Sequence, residues 1–131
     1  MKLSTRSRYG TRILIDIARN QDGGPVQVSK IAKRQDISVK YVEQLIRPLK
    51  KEKYLNSIRG PKGGYVLEMA PEQITLGQIV RLFEKQADLV ECVSAPDACP
   101  MSPDCRVRLA WRDATQAMCE RLDATTIADL M

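Results

Sequence analysis

Between residues 29 and 51 the chain carries two short amphipathic stretches separated by only three residues, and this spacing restricts the fold more than any other feature. Ser29 is placed to cap a first helix over residues 30–35, its hydroxyl accepting a free amide of the first turn. Asp36, Ile37 and Ser38 make the turn, and Ser38 is placed to cap a second helix. In that helix Val39, Val42, Ile46 and Leu49 fall on one side, and Lys40, Gln44, Arg47 and Lys51 fall on the other. Two short helices with a basic outer face on the second is the helix-turn-helix pattern. Pro48 removes a backbone hydrogen bond and crowds the preceding turn, so a kink or tightening is expected near Arg47.

The flanking segments extend the pattern. Residues 4–20 read as a helix, with Ile13, Ile17 and Ala18 at helical spacing and Arg6, Arg8, Arg12 and Arg19 between them. Residues 21–25 form a turn, and residues 26–28 read as a short strand. After the second helix, two β-prone runs, 54–59 and 65–67, flank the tip Gly60-Pro61-Lys62-Gly63-Gly64. That is a hairpin wing bearing Arg59 and Lys62, with glycines that allow close approach to a phosphate. The fold class expected is mainly α with a small β wing: a winged helix-turn-helix domain over residues 1–70, then a second part over 71–131.

Charge divides along the same line. Residues 1–67 hold 15 Lys/Arg and 5 Asp/Glu, a net of +10, whereas residues 68–131 hold 6 and 11, a net of −5. A concentrated positive field attracts polyanions, and duplex DNA is the polyanion a helix-turn-helix fits. The chain has no histidine, which removes Ser-His-Asp and Cys-His catalysis and histidine-ligated metals. With no C-x-x-C and no phosphate-binding signature either, it reads as a non-enzyme without a small-molecule substrate. No apolar run is long enough to cross a bilayer, so the reading places the protein in the cytoplasm with no membrane partner.

In the second part, Thr75-Leu76-Gly77-Gln78 fits a capping box opening a helix through about residue 84. Residues 88–104 read as a loop with two cysteines and three prolines, and a third cysteine, Cys105, follows directly. A long helix is expected over about 103–122, where Val107, Trp111, Ala114, Met118 and Leu122 recur at spacings of 4, 3, 4 and 4. That seam suits coiled-coil-like pairing, so a homodimer through this helix is expected.

Cys92, Cys99 and Cys105 are spaced C-x6-C-x5-C. Zinc sites usually pair cysteines more closely, and iron–sulfur clusters accept looser spacing on loops. Bare thiols that respond to oxidants remain open beside the cluster reading. Cys119 lies about 21 Å farther along a continuous helix, too far to join the same cluster, and is expected as a small buried seam residue. A fourth ligand is then left to Glu91, Asp97 or Asp104, to a partner subunit, or to a small molecule.

Taken together, these stretches resemble the IscR, NsrR and CymR family of bacterial winged-helix regulators. The resemblance rests on Met1-Lys2-Leu3-Ser4-Thr5-Arg6-Ser7-Arg8-Tyr9, Ile37-Ser38-Val39-Lys40-Tyr41-Val42-Glu43-Gln44-Leu45 and Ser57-Ile58-Arg59-Gly60-Pro61-Lys62-Gly63-Gly64-Tyr65. The three-cysteine loop and Leu109-Ala110-Trp111-Arg112-Asp113 complete it. It implies a homodimeric transcription factor, a repressor, binding double-stranded DNA through Ser38, Lys40, Tyr41, Glu43, Gln44 and Arg59, with Lys62 added from the wing. It also implies an iron–sulfur cluster, [2Fe–2S] ahead of [4Fe–4S], on Cys92, Cys99 and Cys105; CymR-like members instead lack the cysteines and answer to cysteine metabolism. Three departures stand out. The first cysteine gap is one residue longer, Arg108 occupies the place of an IscR-like histidine ligand, and Arg8 that of an NsrR-like acidic ligand.

Overall fold

The computed structural model describes residues 2–131. Helix α1, Thr5–Asn20, runs through the middle of the molecule and touches α2 (Val28–Gln35), α3 (Val39–Lys51) and α4 (Leu76–Phe83). Ser4 starts it by accepting the Ser7 amide at 3.4 Å. Ile13, Leu14 and Ile17 on α1 have no solvent exposure and form one core with Ile31, Leu45, Ile46 and Leu49. Ile74, Ile79, Phe83 and Ile127 complete this core from beyond residue 70, so the α4 region is packed on the helix-turn-helix. Gly10 permits that packing: a side-chain carbon there would collide with the Phe83 ring.

α2 starts earlier than expected. Val26 pairs with Tyr65 through two backbone hydrogen bonds of 2.9 Å, leaving one isolated bridge where a strand over 26–28 was expected. The bridge holds the chain extended up to Gln27, whose carbonyl accepts from Lys30 and Ile31, so Ser29 lies inside the first turn and is not the cap. α2 ends where Asp36 takes the left-handed conformation, φ 55°. Ser38 caps α3 as expected, its Oγ accepting the Tyr41 amide at 3.1 Å. α3 then continues through Pro48 to Lys51 as one helix, with Leu45, Ile46 and Leu49 buried on both sides of the proline. Val39, placed on the apolar side by its spacing, is 45% exposed at the first turn.

Strands β1 (Leu55–Ile58) and β2 (Gly64–Leu67) pair antiparallel, Leu55 with Leu67 and Ile58 with Gly64, to form the wing. Gly60 turns its tip at φ +118°, a conformation that disfavours residues with a Cβ. The α4 capping box is complete: Thr75 Oγ1 accepts from the Gln78 amide, and Gln78 Oε1 accepts from the Thr75 amide. The cysteine segment is more structured than a loop, with α5 (Glu91–Ser94) and 3-10 turns at Pro96–Ala98 and Ser102–Asp104. Proline, with φ preset, stands at the first position of one 3-10 turn, Pro96, and at the second of the other, Pro103. α6, Arg106–Asp123, starts three residues later than expected, where Cys105 Sγ accepts the Arg108 amide at 3.4 Å.

Candidate nucleic-acid interface and cysteine segment

The first two turns of α3 bring Ser38, Lys40, Tyr41, Glu43 and Gln44 together. Lys40, Glu43 and Gln44 are exposed, while the buried Val42, Leu45 and Ile46 hold the opposite side of the helix against the core. Tyr41 differs: it is half-buried, donates its hydroxyl to Thr5 Oγ1 at 3.3 Å, and meets Tyr9 edge-on at 5.9 Å. It therefore orients α3 on α1. Arg59 and Lys62 are exposed on the wing, a separate element. Lys62 shares a recess with Lys30 of α2, a cation the sequence reading did not single out.

Two supporting contacts also escaped the sequence reading. Asp16, 4% exposed, accepts Arg34 through both carboxylate oxygens at 2.9 and 2.6 Å and accepts Gln35 Nε2 at 2.9 Å. The pair raises the pKa of Arg34 above its ordinary value and ties α2 to α1. The signal was a lone acid inside the apolar run Ile13-Leu14-Ile15-Asp16-Ile17. Glu84, just after α4, accepts the Ser4 amide at 2.8 Å and the Ser7 hydroxyl at 2.5 Å. These hydrogen bonds, the Ser7 hydroxyl first, hold the Glu84 carboxyl below its usual pKa. Glu84 thus joins the approach to the cysteine segment to the N-terminus of α1, and Thr5 continues from there to Tyr41 on α3.

Cys92, Cys99, Cys105 and Cys119 are all free and half-buried, so Cys119, expected as a small buried seam residue, is only partly covered within one chain. The segment is pinned at two points. Arg108 Nε donates to the Cys92 carbonyl at 2.7 Å, and Thr115 Oγ1 accepts the Leu89 amide at 3.3 Å. Three thiols on one irregular segment are donors of the right kind for an iron–sulfur group, so the residues fit it in kind. They are not gathered: among the described residues no three Cys, Asp or Glu side chains come together as a metal-holding set. Along α6, Val107 is 57% and Trp111 44% exposed, Ala114 is exposed, and Met118 and Leu122 are half-buried.

Residues 3–131 match the family Rrf2, described as an iron-dependent transcriptional regulator. The chain is 47% identical over 131 residues to Protein rrf2 of Nitratidesulfovibrio vulgaris (strain Hildenborough), covering 100% of this chain and 87% of the relative. It is similar in structure to CymR, the global cysteine regulator of B. subtilis, at TM-score 0.82 and 38% identity over 99% of this chain and 95% of that one. It is likewise similar to T. potens IscR, at TM-score 0.80 and 32% identity over 99% of this chain and 85% of that one. No helix among the described residues is long and apolar enough to cross a membrane.

Proposed function

Because the chain belongs to the Rrf2 family of winged-helix, DNA-binding transcriptional regulators, which are not enzymes, we propose that it is a cytoplasmic homodimeric repressor whose grip on DNA is set by its cysteine segment. The observation that carries this reading is the exposed set Lys40, Glu43 and Gln44 on a capped helix whose other side is buried in the core. α3 enters the major groove, where Glu43 accepts from a cytosine amine, Gln44 pairs with adenine, and Lys40 meets phosphate or guanine. Ser38 and Tyr41 fix the helix start, and Arg59 and Lys62 carry the wing to the adjacent minor groove. Residues 1–70 serve as the DNA-binding part and residues 71–131 as the sensing and pairing part. The exposed α6 stripe Val107, Trp111 and Ala114 meets its copy across a twofold axis.

Cys92, Cys99 and Cys105 would hold an iron–sulfur group, [2Fe–2S] in the leading form, which supplies sensitivity to oxidants or nitric oxide when bound. The chain's own contribution is the link from segment to reading head. Glu84 holds Ser4 and Ser7, Thr5 holds Tyr41, and a shift of residues 85–105 bears on α3 through these contacts. A second reading keeps the DNA interface and replaces the cluster by bare thiols, zinc or control through cysteine metabolism. It is favoured by the ungathered thiols, by Arg8 and Arg108 at the family's fourth-ligand places, and by the likeness to a cysteine regulator.

One anaerobic preparation separates the two. Brown protein with iron and sulfide, whose operator affinity changes when oxidant or nitric oxide bleaches it, supports the cluster reading. Colourless protein after anaerobic reconstitution, with DNA binding that responds to thiol oxidants, supports the second. Absence of any DNA binding overturns both.

A further inference from the structure

The cysteine segment and the start of α6 line an open recess of about 330 Å3 whose polar lining is Asp97, Cys99, Ser102 and Arg108, set among three proline rings. That volume lies at the small end of small-molecule sites. Ser102 is 5% exposed, and its hydroxyl is the only buried side-chain polar atom without a hydrogen-bond partner among the described residues. An unpartnered buried hydroxyl is unfavourable, and a bound polar group would satisfy it. Arg108 is anchored through Nε alone and forms no ion pair among the described residues, which leaves its two terminal nitrogens as a fork for a carboxylate. Asp97 is exposed and likewise makes no ion pair among the described residues, and the Cys99 thiol is free.

We propose that this recess binds a small amino-acid disulfide and that Cys99 captures one half of it as a mixed disulfide. The ligand carboxylate pairs with Arg108, its ammonium faces Asp97, and the Ser102 hydroxyl gains a polar partner. The capture is thiol–disulfide exchange. Cys99 loses its proton to water, and its thiolate attacks one sulfur of the amino-acid disulfide. The Cys99–ligand S–S bond forms, the original S–S bond breaks, and the second half leaves as a thiolate with the electron pair. The disulfide is itself the oxidant, so no other redox partner is required. Cys99 cannot ligate a metal and carry a mixed disulfide at once, so the proposal concerns the metal-free chain and goes beyond the DNA-binding reading.

The test exposes the full-length, metal-free protein to cystine, to cystamine (no carboxylate) and to dithiodipropionic acid (no ammonium), with intact-mass and peptide-map readout. Cystine is expected to modify Cys99 ahead of Cys92, Cys105 and Cys119. It should outpace each truncated disulfide by about fivefold, the discrimination that one partly exposed charge pair supplies. Arg108→Gln should abolish the advantage over cystamine and keep that over dithiodipropionic acid, and Asp97→Asn should do the converse. Arg108 also anchors Cys92, so the exposed Asp97→Asn variant carries the test if the Arg108 variant disturbs the segment. Equal labelling of all four cysteines, or cystine no faster than its truncated analogues on the wild type, overturns the proposal.

Discussion

Asp16 and Glu84 show how single carboxylates set the geometry of a basic domain. Asp16 is nearly shut off from solvent, whereas the Arg34 side chain is 37% exposed. Asp16→Asn leaves the guanidinium free to reach water, so the cost falls below that of stranding a fully buried ion. We expect a loss of about 2 kcal/mol in urea unfolding, with weaker DNA binding because α2 loses its tie to α1. Glu84 has a depressed pKa, so its contribution to stability is fully present above the ordinary value of 4.5 and is lost as the pH falls through the lower folded value. Glu84→Gln should therefore destabilise the protein at neutral pH and flatten the loss of stability below about pH 4.5, as thermal melts across that range will read. A Glu84→Gln protein with the wild-type acid limb would contradict the assignment.

Elements were legible in the sequence where their determinants are local. The Ser38 cap and the Val42, Ile46 and Leu49 stripe of α3 sit within a few residues of one another, as do Thr75 and Gln78 of the α4 capping box, and both helices form as read. The wing follows from two β-prone runs and the Gly60 turn. What the sequence left hidden depends on distant partners. The start of α2 is decided by Val26 pairing with Tyr65 on the wing, and the link to α1 by Glu84 reaching Ser4 across 80 residues. Val39 looked like core by periodicity because spacing does not report where the opposing surface ends. Of the candidate site, capping and spacing pointed to Ser38, Lys40 and Gln44 on α3 and to Arg59 and Lys62 on the wing, and the family resemblance added Tyr41 and Glu43, whereas gathering of the thiols could not be read, since spacing does not determine how two 3-10 turns orient them. For the wing itself, Arg59→Ala should cost about 1–3 kcal/mol of binding and relax sequence preference beneath it. Lys62→Ala should weaken binding evenly and lower the salt slope by about one, read by fluorescence anisotropy across a salt series.

On the scale of the whole molecule, the uncovered stripe on α6 and the positive half of the chain belong to one design. An exposed Trp111 beside Val107 and Ala114 is an anchor that a second copy can bury, and aromatic anchors dominate such interfaces. Trp111→Glu should yield a folded monomer by analytical ultracentrifugation, with operator affinity lowered at least about tenfold because the two reading heads no longer bind as a linked pair. A dimer that survives this change would place the pairing surface elsewhere. Footprinting of the wild-type protein, at low salt, on DNA fragments it selects from genomic DNA should reveal protection of a twofold-symmetric site with half-sites about one helical turn, or a multiple of it, apart. Failure to protect any fragment, or a single unsymmetrical patch, would contradict the homodimeric DNA-binding reading.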